Sequence, residues 1–283
     1  MIQIGDRTRS ISKAETHRKR RSKLDDTYQS YLKRVVQMTL PDAYAAKFGH
    51  IQESPKFVPG PQGGKKAAPF PGYSAITPPW QDDRANNDFY ADLKTCQHQL
   101  LEQFGSNLLI ALPPDSLHFT VADLIWDSAY RDAVQNPQFE TQLRDRIAET
   151  FRQCETEITS RTPIRWQIIG FMVMTRAIGV CLVPKDEQSY DRIMQMRRAI
   201  YQNAKLIELG IEQQYHFSAH VTLGYWGEIP ADLDRASLSK SLTDLNQRWL
   251  DTSQEIWVQR AELRKFDDMT NYYRSADWPV LEF

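Results

Sequence analysis

From residue 73 to the end of the chain, apolar positions recur in two alternating rhythms. In 87–105 they fall at Phe89, Leu93, Cys96, Leu100 and Phe104, and in 137–159 at Phe139, Leu143, Ile147, Phe151, Cys154 and Ile158. Spacings of three and four put each set along one stripe of a helix, and that stripe has to be covered. The same rhythm predicts helices over 187–209 and 234–250, with Pro137 suited to a helix start and Gly210 to a helix end. Between the helices, 73–77, 108–112, 117–125, 164–174, 177–183, 214–225, 256–266 and 278–283 read as strands, with a hairpin turning at Thr175-Arg176. The order is an α+β pattern, not a strict βαβ alternation. Neither a G-x-G-x-x-G turn nor a Walker loop is present, which argues against the nucleotide-cofactor folds.

Upstream the rhythm weakens. Leu24, Tyr28, Tyr31 and Val35 keep helical spacing and predict one amphipathic helix docked on the main body. Residues 53–72 are rich in Pro, Gly and Lys, from Pro55 through Pro59-Gly60-Pro61 and Gly63-Gly64 to Pro71-Gly72, and predict an irregular wrapping loop. Three zones follow: a basic, helical extension at 1–52, a connecting loop at 53–72, and a main domain at 73–283.

Within the main domain the element order repeats. A helix leads into the strand containing His118, then a helix and two strands; a second helix leads into the strand containing His220, then again a helix and two strands. The echo lies in order, not in residue identity, and suggests two related lobes facing each other.

Two tetrapeptides in the echoed strands match: His118-Phe119-Thr120-Val121 and His220-Val221-Thr222-Leu223. In a strand, alternate residues share a face. His118 and Thr120 therefore point one way while Phe119 and Val121 point into the core, and the second strand repeats the arrangement. Imidazole, with a reference pKa near ~6.5, supplies both protonation states near neutrality. One histidine can take a proton from an attacking water while the other gives one to a departing ribose oxygen. The threonine hydroxyls can donate to the non-bridging oxygens of a phosphate. H-x-T alone is a weak signal; two copies with apolar residues at both alternate positions are a specific one.

These two strands, about a hundred residues apart, resemble the signature of the 2H phosphoesterase superfamily, which includes RNA 2′,3′-cyclic phosphodiesterases and 2′-5′ RNA ligase-like proteins. The likeness spans roughly residues 56–283 and takes in the Tyr73-Ser74-Ala75-Ile76-Thr77 strand, the Glu262-Leu263 strand and the late Tyr272-Tyr273 pair. Leu112-Pro113-Pro114-Asp115-Ser116 and Lys56-Phe57-Val58-Pro59-Gly60 resemble an uncharacterised branch of that group. The resemblance implies a bilobal fold, with two pseudo-symmetric lobes of antiparallel sheet and flanking helices around a central groove. It also implies hydrolysis of a cyclic phosphate or phosphodiester without a cofactor, on a nucleotide or an RNA end, by His118, Thr120, His220 and Thr222. Tyr73, Trp226 and Tyr273 are candidates to stack a base or sugar, and His216 is a candidate second groove residue.

Rival chemistry is thinner. His216 and His220 would share a helix face as zinc ligands, but the alternation from Tyr215 to Tyr225 reads as strand, and no H-E-x-x-H or clustered acidic ligand accompanies them. No G-x-S-x-G elbow supports a serine hydrolase. A non-catalytic binder of phosphate ligands or RNA ends would need the threonines but not two titratable histidines. Arg165 and Arg176, near the hairpin, are candidate phosphate contacts.

The 283 residues, 41% hydrophobic and 25% charged, fit a soluble globular chain with no membrane-length apolar run. Met1–Lys23 is polar and basic, without the apolar core of a secretory signal. Cys96, Cys154 and Cys181 sit in apolar-patterned segments, as buried thiols in a reducing compartment do, so the cytoplasm is expected. Net charge is −1, yet residues 1–36 carry ten Lys/Arg against four Asp/Glu, centred on His17-Arg18-Lys19-Arg20-Arg21. The expected partner is the nucleotide or RNA-terminal phosphodiester substrate, and the pattern leaves protein partners open.

Overall fold

A computed structural model describes residues 24–61, 64–157, 162–250 and 254–283. The basic run at 17–21, Gly63 and Ile158 lie outside the described residues. The chain folds as α1 (Tyr28–Gln37), α2 (Pro41–Phe48), β1 (Phe57–Pro59), β2 (Lys65–Ala67), β3 (Gly72–Ile76), α3 (Asn87–Leu108), β4 (Leu109–Ala111), β5 (Thr120–Trp126), α4 (Asp127–Ala133), α5 (Phe139–Glu157), β6 (Ile164–Val173) and β7 (Ala177–Pro184). It continues as α6 (Glu187–Tyr201), α7 (Ala204–Ile207), β8 (His220–Trp226), α8 (Arg235–Leu250), β9 (Glu255–Val258), β10 (Arg260–Phe266), β11 (Tyr272–Tyr273) and β12 (Val280–Glu282). Mixed helices and antiparallel sheets make the fold α+β.

One sheet runs β11-β10-β3-β5, with β12 paired to β10; the other runs β4-β8-β7-β6-β9. The β6–β7 hairpin pairs Val173 with Ile178 around the expected turn. The predicted helical stripes are the buried ones: Leu93 and Leu100 of α3 and Leu143 and Ile147 of α5 have no exposed surface. Asp186 caps α6 by accepting from the Ser189 N–H at 2.7 Å, which satisfies one of the helix's unpaired amides. Gly210, at φ +83°, reverses the chain after α7. Among the described residues no helix is long and apolar enough to cross a membrane. All three cysteines are buried and none forms a disulfide.

Several boundaries differ from the sequence pattern. The 187–209 stretch divides into α6 and α7, 256–266 divides into β9 and β10, and α4 was not foreseen. The 53–72 stretch is not wholly irregular: β1 and β2 pair antiparallel, Phe57 opposite Ala67. Pro59 ends its strand there, where no further ladder donor is needed. Residues 214–219 are not strand, and β8 begins at His220.

The N-terminal segment forms two helices, and both enter the core. Tyr31, Val35, Tyr44 and Phe48 are fully buried. Tyr31 packs with Trp166 and Phe217, ring centroids 5.9 Å apart in each case, and Phe119 lies 5.4 Å from Trp166. This aromatic cluster lies beneath the two H-x-T strands. Burying each such side chain is worth roughly 1.5–3 kcal/mol, so the strands rest on a stiff floor.

Candidate active site

His118 and Phe119 immediately precede β5, and His220 opens β8. Phe119 and Val221 form an isolated antiparallel bridge that joins the two sheets. Both of these side chains are fully buried, whereas His118, Thr120, His220 and Thr222 are each partly exposed. These four, from two different sheets, line one cavity of about 1250 Å³.

The two histidines are held in the same way. His118 Nδ1 lies 2.7 Å from the Ser116 carbonyl oxygen, and His220 Nδ1 lies 2.7 Å from that of Ser218. A carbonyl only accepts, so each Nδ1 carries the proton and each Nε2 is left as the titrating atom. His118 Nε2 is 3.1 Å from Thr120 Oγ1, whose hydroxyl donates to it at rest. Tyr272 tilts over the His118 ring, with centroids 4.2 Å apart. Withdrawal from water pushes His118 down to about 4, against opposing pulls from the Ser116 hydrogen bond and Asp123. Burial lowers His220 as well, and the nearby Lys56 charge adds to it.

The matching supports carry a sequence signal of their own. Ser116-Leu117-His118-Phe119-Thr120 and Ser218-Ala219-His220-Val221-Thr222 share S-x-H-x-T. The serine carbonyl two residues before each histidine is what orients the ring. Arg34 of α1 donates to the Ser218 hydroxyl at 2.6 Å and to the Phe217 carbonyl, and is itself held by Asp26 at 2.7 Å.

The flanking candidates fare differently. Tyr73 is fully buried on the far side of β3, packed between Tyr130 and Trp278 at 6.0 and 5.7 Å, and its neighbour Ser74 faces the cavity instead. Trp226 is fully buried between Phe48 and Phe104 and donates to the Met174 carbonyl at 2.9 Å; Tyr225 takes the cavity position. Tyr273 turns away to bond Asp267, and Tyr272 lines the wall. Each of the three stands one residue from the side chain that lines the cavity. In β8 the cause is a bulge: Gly179 pairs with Thr222 but Ile178 with Gly224, so the alternation started at His220 changes face before Trp226.

His216 does line the cavity, from loop and not from strand, with Nδ1 3.7 Å from Asp26 Oδ1. It is not on a common strand face with His220. Arg176 also lines the cavity, whereas the Arg165 guanidinium lies 5.8 Å over the Trp257 ring. Among the described residues no group of three His, Cys, Asp or Glu side chains is placed to hold a metal ion. Asp123, which nothing in the local sequence marks, and Lys56 add to the charged lining. Asp123 accepts from the Tyr215 hydroxyl and, at 3.4 Å, from that of Ser74.

No family model matches the chain, and no curated protein matches it. Its fold does have a counterpart. A conserved protein of unknown function from Agrobacterium tumefaciens superposes with a TM-score of 0.54 at 13% identity, over 74% of this chain and 86% of that one. At that identity the likeness is one of fold alone. A crystal structure of a phosphoesterase is similar over 76% of this chain and 100% of that one, at 13% identity and a TM-score of 0.39, too loose a likeness to bear on the chemistry.

Proposed function

We propose that the chain is a 2H-type phosphoesterase that hydrolyses a cyclic phosphate or phosphodiester of a nucleotide or RNA end, by paired histidine acid–base catalysis and without a metal or other cofactor. The reading takes residues 73–283 as a bilobal, pseudo-symmetric catalytic domain, 53–72 as a connecting segment and 1–52 as an N-terminal extension, of which 24–52 packs against that domain. The observation that carries it is the pair of S-x-H-x-T segments, which offer two identically tethered imidazoles and two hydroxyls to one cavity.

In a 2′,3′-cyclic phosphate, one Nε2 takes a proton from water as the water oxygen bonds to phosphorus. The bond from phosphorus to one ribose oxygen breaks, and the other Nε2–H protonates that oxygen. One water is added, the ring opens to a monophosphate, and the imidazoles have exchanged protonation states. Thr120 and Thr222 donate to the non-bridging oxygens, which withdraws Thr120 from His118 Nε2 and frees that atom for proton transfer. The acid must be protonated although burial depresses both rings; a bound phosphate anion supplies the opposing charge that raises them.

The test is turnover of a panel of 2′,3′-cyclic nucleotides and small linear phosphodiesters in the presence of EDTA. Hydrolysis that persists in the chelator is expected. Saturable binding of the panel without any hydrolysis would replace this reading with that of a phosphate-ligand or RNA-end binder.

A further inference from the structure

The cavity's charge is unbalanced. Among its described lining residues Arg34, Lys47, Lys56 and Arg176 are cationic and only Asp123 is acidic. Arg34 is matched by Asp26. Lys47 and Arg176 are exposed, whereas Lys56 is half-buried, and like them it has no ion pair among the described residues. Its ammonium rests on neutral groups: 4.3 Å from the Phe70 ring centroid, 5.1 Å from that of Tyr225, 3.4 Å from Tyr225 Oη and 3.2 Å from Met269 Sδ. An ammonium has three N–H donors and no acceptor. A phenol oxygen and a thioether sulfur are modest partners for it, and they leave capacity for an anion.

The backbone fixes this side chain where it stands. Lys56 N–H donates to Ser54 Oγ at 3.3 Å and its carbonyl accepts from Ala68 N–H at 2.8 Å, so its backbone is held at the open end of the β1–β2 hairpin. Desolvation lowers its pKa to about 8, which leaves it mainly charged at neutrality. That charge reaches the motif, since it helps to depress His220. A half-buried cation drawn only at longer range by Asp123 and Asp127, with no carboxylate in ion-pair contact among the described residues, is a costly arrangement that a bound anion relieves.

The motif has the complementary lack. Both imidazoles are neutral at rest, and the proton that the catalytic acid takes up is directed to the leaving ribose oxygen. The motif therefore offers the non-bridging oxygens, where negative charge concentrates as the attacking water adds, hydrogen bonds but no cation of their own. We propose that Lys56 is a phosphate-contacting residue of this site, its ammonium donating to a non-bridging oxygen of the phosphate held between His118 and His220. The assignment rests on the phosphodiester reading above.

Calorimetric titration of the full chain with inorganic phosphate at pH 7 tests it, with Lys56→Met compared against the unmodified protein and the melting temperature of each recorded. The expected result is a loss of about tenfold or more in phosphate affinity, with a melting point equal or higher because an unpaired cation has been replaced by an apolar chain of similar length. Affinity within about twofold of the parent, in a folded variant, overturns the role of Lys56 and leaves the histidine pair standing. Absence of phosphate binding by the parent overturns both. Should Lys56→Met not fold, amine acylation of the parent at pH 8, read by peptide mass, replaces it. Saturating phosphate should slow labelling of Lys56 severalfold and leave exposed Lys240 unchanged; equal labelling with and without phosphate overturns the assignment.

Discussion

Phe119 and Val221 meet as an antiparallel backbone bridge between two sheets, and that contact orders the four polar side chains around it. The register brings position 118 opposite 222 and position 120 opposite 220. Directly opposed Cβ atoms are roughly 4.5–5.5 Å apart in such pairs. Each imidazole therefore faces a hydroxyl from the other strand, and the two imidazoles lie on a diagonal. A phosphate over this square would meet one hydroxyl and one imidazole from each side.

Replacing either His118 or His220 by Ala is expected to lower kcat on a 2′,3′-cyclic nucleotide by about 10² to 10⁴, with the circular dichroism spectrum unchanged. The double variant should be little worse than the worse single one, because both protons move in one displacement. A single variant that retains more than a tenth of parental kcat would sink the paired acid–base reading.

The depressed imidazoles set a pH dependence. In the unfolded chain each histidine titrates near ~6.5, whereas His118 in the folded chain titrates at about 4 and His220 is shifted the same way. As pH falls below ~6.5 the unfolded chain takes up protons that the folded chain refuses. The stabilisation is therefore full above that pH and is lost toward the folded values, at up to about 1.4 kcal/mol per pH unit per site. Urea melts between pH 7 and 4 should show the fall, and His118→Gln should flatten it. In the same way, kcat/KM should be greatest below pH ~6.5, and kcat, which reports the phosphate-bound state, at higher pH. Proton NMR of the free protein showing both rings titrating at ordinary values would contradict this account.

Gly179 is a packing requirement of the site. A Cβ there would stand 2.3 Å from the Val221 carbonyl oxygen, on the strand that carries His220 and Thr222. Backbone cannot yield as a flexible side chain can, so Gly179→Ala should cost about 1–3 kcal/mol of stability by denaturant titration and lower kcat more than it raises KM. Unchanged kcat in this variant would mean that the strand tolerates displacement.

Tyr31 couples the N-terminal helix to the same strand. Its hydroxyl donates to the Leu182 carbonyl at 2.8 Å and accepts from the Ala219 N–H at 3.1 Å, and so stands in for a ladder bond beside His220. Tyr31→Phe leaves two buried backbone groups without that partner, and a loss of about 1–3 kcal/mol is expected. A stability equal to that of the parent would show that the two strands close up once the hydroxyl is gone.

The tethers of the two histidines are legible in the sequence as Ser116 and Ser218 at the same offset. The stripes of α3 and α5 and the opposed H-x-T segments were legible because helical and strand periodicity depend only on local backbone geometry. The aromatic wall was not. Tyr73, Trp226 and Tyr273 each stand one residue from Ser74, Tyr225 and Tyr272, which line the cavity; for Trp226 the reason is the β7–β8 bulge, which belongs to a pair of strands and leaves no mark in either alone. Within 53–72 the β1–β2 pairing is invisible to periodicity, because a three-residue strand leaves almost no periodic signal.

By itself, the order of residues determined which four side chains stand together in two short strands, and that each strand turns its histidine and threonine away from the core. Only tertiary structure decided that the two strands would bridge, which face the downstream aromatics would take, and that Lys56 would be drawn into the same cavity. The physical reason is range. Backbone alternation acts over a few residues, whereas bulges, bridges between sheets and the charge of a cavity arise from segments that meet only after the chain has folded.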